Sequence, residues 1–443
     1  MEHLVVMKKT PSENMAVVSV RLPLMRTFSA IYKLCKRCFN VPIMLTLLLL
    51  SYVSPRSSRK IVIGGWFGGL YADNPKFFLS YILANTSFNV IWIGEQKISK
   101  FLPKNPRVTF VQKGSASALF HLLTAKMMFC CHMTQWDFTN LPVFPRALCR
   151  VRIANAWHGI PIKHMGQNIP GAEQTLKQAF LSRIGKVINK RNEYLSVSSD
   201  DMAHIISSGW PKSFSEQRVL KFGTPRNDFL LMNKKNIELQ NSLRKKYMQL
   251  LKIPEGKKII LYLPTWRTTK GVVRTFYAMT REEKFALNNV LDKHNAVLIE
   301  KHHYMTYVNN MPTVASDGNL HVILPDDVIN IDIQELLLVA DVLISDYSGA
   351  FIDFGLLERP IIHYAYDYVF YKEQDTGLAY KLEDVAGGVI VYDHMSLMSA
   401  LDDALENPVF KPGPRYHDLV KYETGSSCAN ILKFLKGDVQ VDV

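Results

Sequence analysis

The chain runs to 443 residues, longer than one hydrophobic core usually serves, so two domains of about 150–200 residues each are expected. Hydrophobic residues make up 48% and charged ones 21%, a balance that excludes wholesale disorder. Lys and Arg outnumber Asp and Glu by 53 to 39, and the resulting +14 favours anionic partners: acidic lipid headgroups, a phosphate-rich polymer or nucleic acid. No recognised nucleic-acid-binding motif accompanies that charge, which argues against the last.

At the N-terminus, Lys8, Lys9, Arg21, Arg26, Lys33, Lys36 and Arg37 precede an apolar run from Val41 to Val53. About a dozen residues fall short of the ~20 that a spanning helix requires. Ser54-Pro55-Arg56 is a poor cleavage site for a signal peptide. Basic residues on both sides of the run fit a segment, residues 1–55, lying on an anionic membrane surface; an ordinary core helix is the alternative. Cys35 and Cys38 form a CxxC with no partner pair at zinc-ligand spacing, and vicinal Cys130-Cys131 reads as buried free thiols. A chain this long needs no disulfides, which suits a reducing compartment.

From residue 61 onward strands and helices alternate. Ile61-Val62-Ile63 is a strand running into the glycine-rich Gly64-Gly65-Trp66-Phe67-Gly68-Gly69, and Asn74-Pro75 starts a helix with Phe77, Phe78, Tyr81 and Ile82 on one face. Val90 to Gly94 and Val108 to Val111 are further strands, Ser115 to Ala125 is helical, and Lys126 to Cys131 and Arg152 to Ala156 are extended. A polar helical stretch, Lys234 to Lys252, leads to a second series. There Lys258–Leu263, Ala296–Glu300, Val322–Leu324, Asp341–Ser345 and Pro360–Tyr364 are strands, and Glu282–His294 and Ile333–Val339 are helices. Such alternation predicts an α/β chain of two doubly wound halves, with a ligand cleft between them at the carboxyl ends of the strands.

Several strand ends carry chemistry. His158, in Asn155-Ala156-Trp157-His158-Gly159-Ile160-Pro161, is a candidate proton acceptor, and Gly159 permits close approach of a substrate. Taken alone, a loop histidine is more often a structural hydrogen bonder. Lys163 and His164 add positive charge nearby, unless they are simply solvated. Arg226 and Asp228 sit in a turn, Gly223 to Asp228, whose plain reading is a helix cap. Arg267, after Leu263-Pro264-Thr265-Trp266, suits bidentate phosphate binding, and Lys301-His302-His303 follows the next strand; an exposed rim is the plain alternative. In DVLISDYSGAFID, a strand ends at Ser345-Asp346-Tyr347-Ser348-Gly349 and a helix follows, placing backbone amides and the Ser348 hydroxyl where a phosphate can bind. No GxxxxGK[ST] or GxGxxG occurs at these loops, which argues against ATP hydrolysis and NAD.

Six strings, in order, carry a resemblance: IVIGGWFGGLYADNPKFFLSYI, NAWHGIPIKHMG, GTPRNDFL, ILYLPTWR, ADVLISDYSGAFIDFGLLERPIIHYAYDYVFY and GLAYKLEDVAGG. Together they resemble the CDP-glycerol glycerophosphotransferases, the teichoic acid primases and polymerases and related capsule enzymes. The resemblance implies a GT-B architecture. Residues 56–235 would be an acceptor domain and 236–443 a CDP-alcohol donor domain, with monotopic association at the cytoplasmic face of the membrane. It implies transfer of glycerol phosphate or ribitol phosphate from CDP-glycerol or CDP-ribitol to a hydroxyl of a polyol-phosphate polymer or lipid-linked glycan, with release of CMP. His158 would be the base, with Asp200 or Asp201 a second acidic group by rough position. Arg267, His303, Ser348 and the amides after it would hold the pyrophosphate, with Lys301 beside them; Ser345, Asp346, Gly349 and Asp353 lie in the matched donor motif. No cofactor is implied. No clustered acidic DxD motif calls for a metal, so cations and a helix start are expected in its place.

Two departures stand out. Tyr304 occupies the place where relatives commonly carry Pro, leaving His302 and His303 as alternatives for the phosphate ligand, and Gly349 replaces a second Ser. The rival readings are a nucleotide-sugar glycosyltransferase of the same architecture and a non-catalytic membrane adaptor.

Overall fold

The computed structural model describes residues 42–43, 45–139, 150–169, 193–211, 213–267, 273–276, 278–302, 316–324 and 331–439. Cys35, Cys38, Cys149, His303 and Tyr304 lie outside the described residues, as does most of the basic N-terminal segment.

Among the described residues, two seven-stranded sheets organise the chain. The first comprises β1 (Ser57–Ile63), β2 (Asn89–Gly94), β3 (Val108–Gln112), β4 (Ala125–Cys130), β5 (Arg152–Asn155), β6 (Glu193–Ser196) and β7 (Val219–Leu220), ordered 3-2-1-4-5-6-7 and parallel throughout. The second comprises β8 (Lys258–Leu263), β9 (Ala296–Glu300), β10 (Ser316–Asp317), β11 (Leu320–Val322), β12 (Val342–Ser345), β13 (Ile361–Tyr364) and β14 (Val389–Val391), ordered 10-11-9-8-12-13-14. Among the described strands of this sheet, only the β10–β11 pairing is antiparallel. Central strands such as Ile61-Val62-Ile63 are wholly buried, as expected for parallel strands covered on both faces, and this is why they read as continuous apolar runs.

The strand expected at Val322–Leu324 is found two residues earlier, at Leu320–Val322. Its apolar signal spilled past the last paired residue, because Ile323 is itself fully buried although it leaves the strand. Strands β6, β7, β10 and β14 were not anticipated; each is four residues or fewer, too short for a periodic signal.

The strand order reverses between β1 and β4 in the first sheet and between β8 and β12 in the second. Loops leaving those strands at their carboxyl ends face a crevice, the general ligand position in doubly wound sheets. One apolar cluster joins Ile160, Leu195 and Val197 of the first half to Leu261, Leu343 and Phe351 of the second. Lys76, on the helix Asp73–Asn85, adds ion pairs to Asp332 (2.9 Å) and Glu335 (2.8 Å) of the second half. The final helix, Ser427–Lys436, returns to the first sheet, burying Cys428, Ile431 and Phe434 with Ile61, Phe129 and Ala154.

Candidate active site

A cavity of about 500 Å³ lies where the loops of both sheets meet. Its first wall comes from the β5 loop. Asn155 Oδ1 accepts the Trp157 N–H at 2.9 Å, and Trp157 turns through a left-handed conformation, φ 52°. That turn buries the Trp157 ring and leaves His158 lining the cavity. His158 Nδ1 lies 3.3 Å from the carbonyl oxygen of Cys131 at the end of β4. A carbonyl only accepts, so this contact selects the tautomer with the proton on Nδ1 and the lone pair on Nε2.

Arg226 closes one end of that wall. Its Nη1 donates to the His158 carbonyl at 3.0 Å and to Asp73 Oδ1 at 3.1 Å, while Nη2 pairs with Asp353 at 2.7 Å. Burial pushes the Asp353 carboxyl up, and the Arg226 charge pulls it back toward ionisation. Arg226 therefore joins the His158 loop, the helix Asp73–Asn85 and the helix Ala350–Gly355, rather than presenting an open cation.

The opposite wall carries Lys301, Ser348, Gly349 and Ala350, with Lys163 between the halves. Burial lowers the Lys301 ammonium to about 8, with Asp332 opposing the shift. Lys163 is likewise lowered by burial, against the pull of Asp346. Gly349 is required by proximity: a Cβ there would stand 2.6 Å from the Ile160 carbonyl oxygen of the first half. The helix after it, Ala350–Gly355, is only six residues long, and Ser348 Oγ accepts the Ala350 N–H at 3.3 Å.

Other residues singled out in the sequence lie behind the cavity and are absent from its described lining. Arg267 is buried and gripped by Asp346 (2.9 Å) and Asp367 (2.8 Å). Asp346 also accepts the N–H groups of Thr265 and Tyr347, tying the β8 loop to the β12 loop. Ser345 Oγ donates to the Leu263 carbonyl at 2.8 Å. These three hold the loops from within; for Arg267 the plain alternative was an exposed rim, and it is buried instead. Asp228 accepts the N–H groups of Ser427 (2.9 Å) and Cys428 (2.7 Å), so it caps the final helix, not the one that contains it. Asp201 pairs with Arg415 at 2.7 Å, away from the lining residues, and Asp200 pairs with Lys221. His302 is buried with its Nε2 on Glu300 Oε1.

Asp73, Lys76, His132 and Asp137 were missed. Asp73 and Lys76 carried a signal, since Asp73-Asn74-Pro75-Lys76 follows the glycine loop within the first matched string. His132 and Asp137 had only their position just past the β4 strand end. Among the described residues, Cys131, His132 and Asp137 form the single group of three potential metal ligands. Both Asp137 oxygens already accept main-chain N–H groups, so the group reads as a hydrogen-bonded scaffold.

Residues 50–436 match the family model of CDP-glycerol:poly(glycerophosphate) glycerophosphotransferase. The chain belongs to this family. Among the glycerophosphotransferase relatives, a teichoic acid poly(glycerol phosphate) polymerase of Bacillus spizizenii is 29% identical over 407 residues, covering 86% of this chain and 93% of the relative. A teichoic acid glycerol-phosphate transferase of Staphylococcus aureus is 27% identical over 346 residues, covering 77% and 82%. The wall teichoic acid polymerase TagF shares the fold, with a TM-score of 0.66 at 21% identity over 94% of this chain and 98% of that one.

Proposed function

We propose that the protein transfers a polyol phosphate from a CDP-alcohol to a hydroxyl of a polyol-phosphate or lipid-linked glycan acceptor, releasing CMP. The observation that carries this reading is His158, its Nδ1 committed to the Cys131 carbonyl, on a cavity wall facing Lys163, Lys301 and Ser348. In this scheme the acceptor hydroxyl gives its proton to Nε2 as its oxygen attacks the β-phosphorus. The bond from that phosphorus to the CMP oxygen breaks, and the two lysines stabilise the charge developing on the departing phosphate. Family membership supports the same chemistry, and relatives named as glycerol-phosphate and ribitol-phosphate polymerases keep both alcohols open.

The arrangement is read as GT-B, with an acceptor domain at 56–235 and a donor domain at 236–443. Arg226 and Gly159 belong to the acceptor side; Arg267, Asp346, Ser345 and Asp353 support the donor side. Among the described residues no helix is long and apolar enough to cross a membrane. The helical residues 45–53 nevertheless turn Leu45, Leu49, Tyr52 and Val53 to solvent, each more than half exposed, while Leu47 and Ser51 are buried. That exposed apolar face supports association with an anionic membrane surface, and the cytoplasmic face is the side on which this reading puts it.

The test is CMP release by the purified protein from CDP-glycerol and from CDP-ribitol, with a membrane acceptor fraction, for wild type and His158→Ala. Release by the wild type, a product heavier by one polyol phosphate, and at least a ~100-fold loss in the variant are expected. No release with either donor would reject both substrates.

A further inference from the structure

Trp66 and Phe67, in the glycine loop after β1, are consecutive non-glycine residues in the left-handed region, with φ 49° and 57°. Such strain persists only where the surroundings over-determine it, and it marks places where the chain holds side chains in a required position. Here the Phe67 N–H donates to Asp137 Oδ1 at 3.0 Å, and Lys113 Nζ donates to the carbonyls of Phe67 (2.8 Å) and Trp136 (2.6 Å).

The loop so held encloses His132, which is 2% exposed. Trp66 meets its ring edge-on at 5.2 Å and Phe67 lies at 4.6 Å. The remaining face is covered by His158, whose ring is stacked on that of His132 at 4.2 Å with 12° between the planes. His132 itself is clamped: its N–H donates to Asp137 Oδ2 at 2.9 Å, and its Nδ1 stands 3.4 Å from Asp137 Oδ1.

We propose that His132 is a positioning residue for His158, a fixed flat surface that sets the plane of the base's imidazole. The proposal rests on reading His158 as the base. The second torsion of a histidine is broad, so a contact through Nδ1 fixes a direction more tightly than it fixes the ring plane. Trp157 lies tilted against the His158 ring at 4.6 Å, and the parallel face of His132 is the contact that defines a plane and so the direction of Nε2. A general base must lie within hydrogen-bond reach of the proton it takes, and a misplacement of about 1 Å can lower the rate ~100-fold. His132 is not among the described residues lining the cavity, so it acts through His158 and not on the substrate.

The test compares wild type, His132→Ala and His132→Phe. Long-range nitrogen–proton NMR correlations of the His158 ring are recorded without substrate, and kcat, KM for the CDP-alcohol and thermal melting are measured. In the wild type His158 shows a single tautomer, protonated on Nδ1. In His132→Ala this becomes a mixture and kcat falls about 10- to 100-fold, with KM within about twofold. His132→Phe, which restores a flat face, recovers both the tautomer and most of kcat. An unchanged tautomer and kcat in His132→Ala would overturn the proposal, as would a joint collapse of kcat, KM and melting temperature. Failure of the wild type to release CMP from any CDP-alcohol would defeat the reaction reading, while the tautomer signal would still decide the role of His132.

Discussion

Arg226 and Asp353, one from each half of the chain, meet in an ion pair of 2.7 Å that is buried at the cavity edge. Arg226 also holds Asp73 and the His158 carbonyl, so a single guanidinium joins the two halves to the His158 loop. Removing the cation leaves two buried carboxylates without their shared counter-charge, each keeping one hydrogen bond, from Asn74 to Asp73 and from Gln334 to Asp353. Arg226→Ala is therefore expected to destabilise the fold by about 3–5 kcal/mol and to lower kcat with it. Urea unfolding followed by fluorescence measures the first effect, and CMP release the second.

Lys301 gives a pH signature. Its ammonium titrates near 8 in the folded chain and near 10.5 when unfolded. Below about 8 Lys301 presents a cation to the cavity, and above it a neutral amine; in the proposed reaction that cation meets the donor diphosphate. The ratio kcat/KM for the CDP-alcohol is expected to fall as pH rises through about 8, and Lys301→Met should abolish that limb at a lower overall rate. Between about 8 and 10.5 the unfolded chain binds the extra proton, so folding stability gains from this group as pH rises across that window. A pH–rate profile and melts at matched pH report the two consequences separately.

Asp228 caps a helix that begins 199 residues later in the chain. Asp228→Ala removes both acceptors of the Ser427 and Cys428 N–H groups, and a loss of about 1–2 kcal/mol is expected. Asp228→Asn keeps one acceptor and should recover part of it. Hydrogen exchange of the amides in Ser427–Lys436 would show the opening locally.

Leu49 and Val53, each 63% exposed, belong to the exposed apolar face before β1. The double substitution Leu49→Asp, Val53→Asp should reduce co-sedimentation with anionic lipid vesicles at least about tenfold while leaving the melting temperature unchanged. Retention on vesicles by the variant would place the membrane contact elsewhere.

Much of the architecture was legible because parallel strands buried on both faces are apolar throughout, as in Ile61-Val62-Ile63 and Leu343-Ile344. The glycine loop and the Trp157-His158-Gly159 turn were legible too, since they occupy strand ends where doubly wound sheets bind ligands. Orientation was not legible. Arg267 has the chemistry of a phosphate ligand, yet its guanidinium meets Asp346 at 2.9 Å because the β8 and β12 loops leave adjacent strands. Charge complementarity between neighbours on a sheet cannot be read from residues 79 apart in the chain.

The sequence by itself determined the two alternating α/β series, the family and the identity of the candidate base, because periodicity, strand-end position and motif order are properties of local residue runs. Only the tertiary structure decided which polar groups face the cavity and which hold it from behind. His132 lies 26 residues from His158 in the chain, yet its ring is stacked against that histidine, because β4 and β5 are neighbours in one sheet and release their loops at the same edge. Pairing of strands distant in sequence sets such contacts, and the pairing is fixed by burial of the whole sheet rather than by any residue within it.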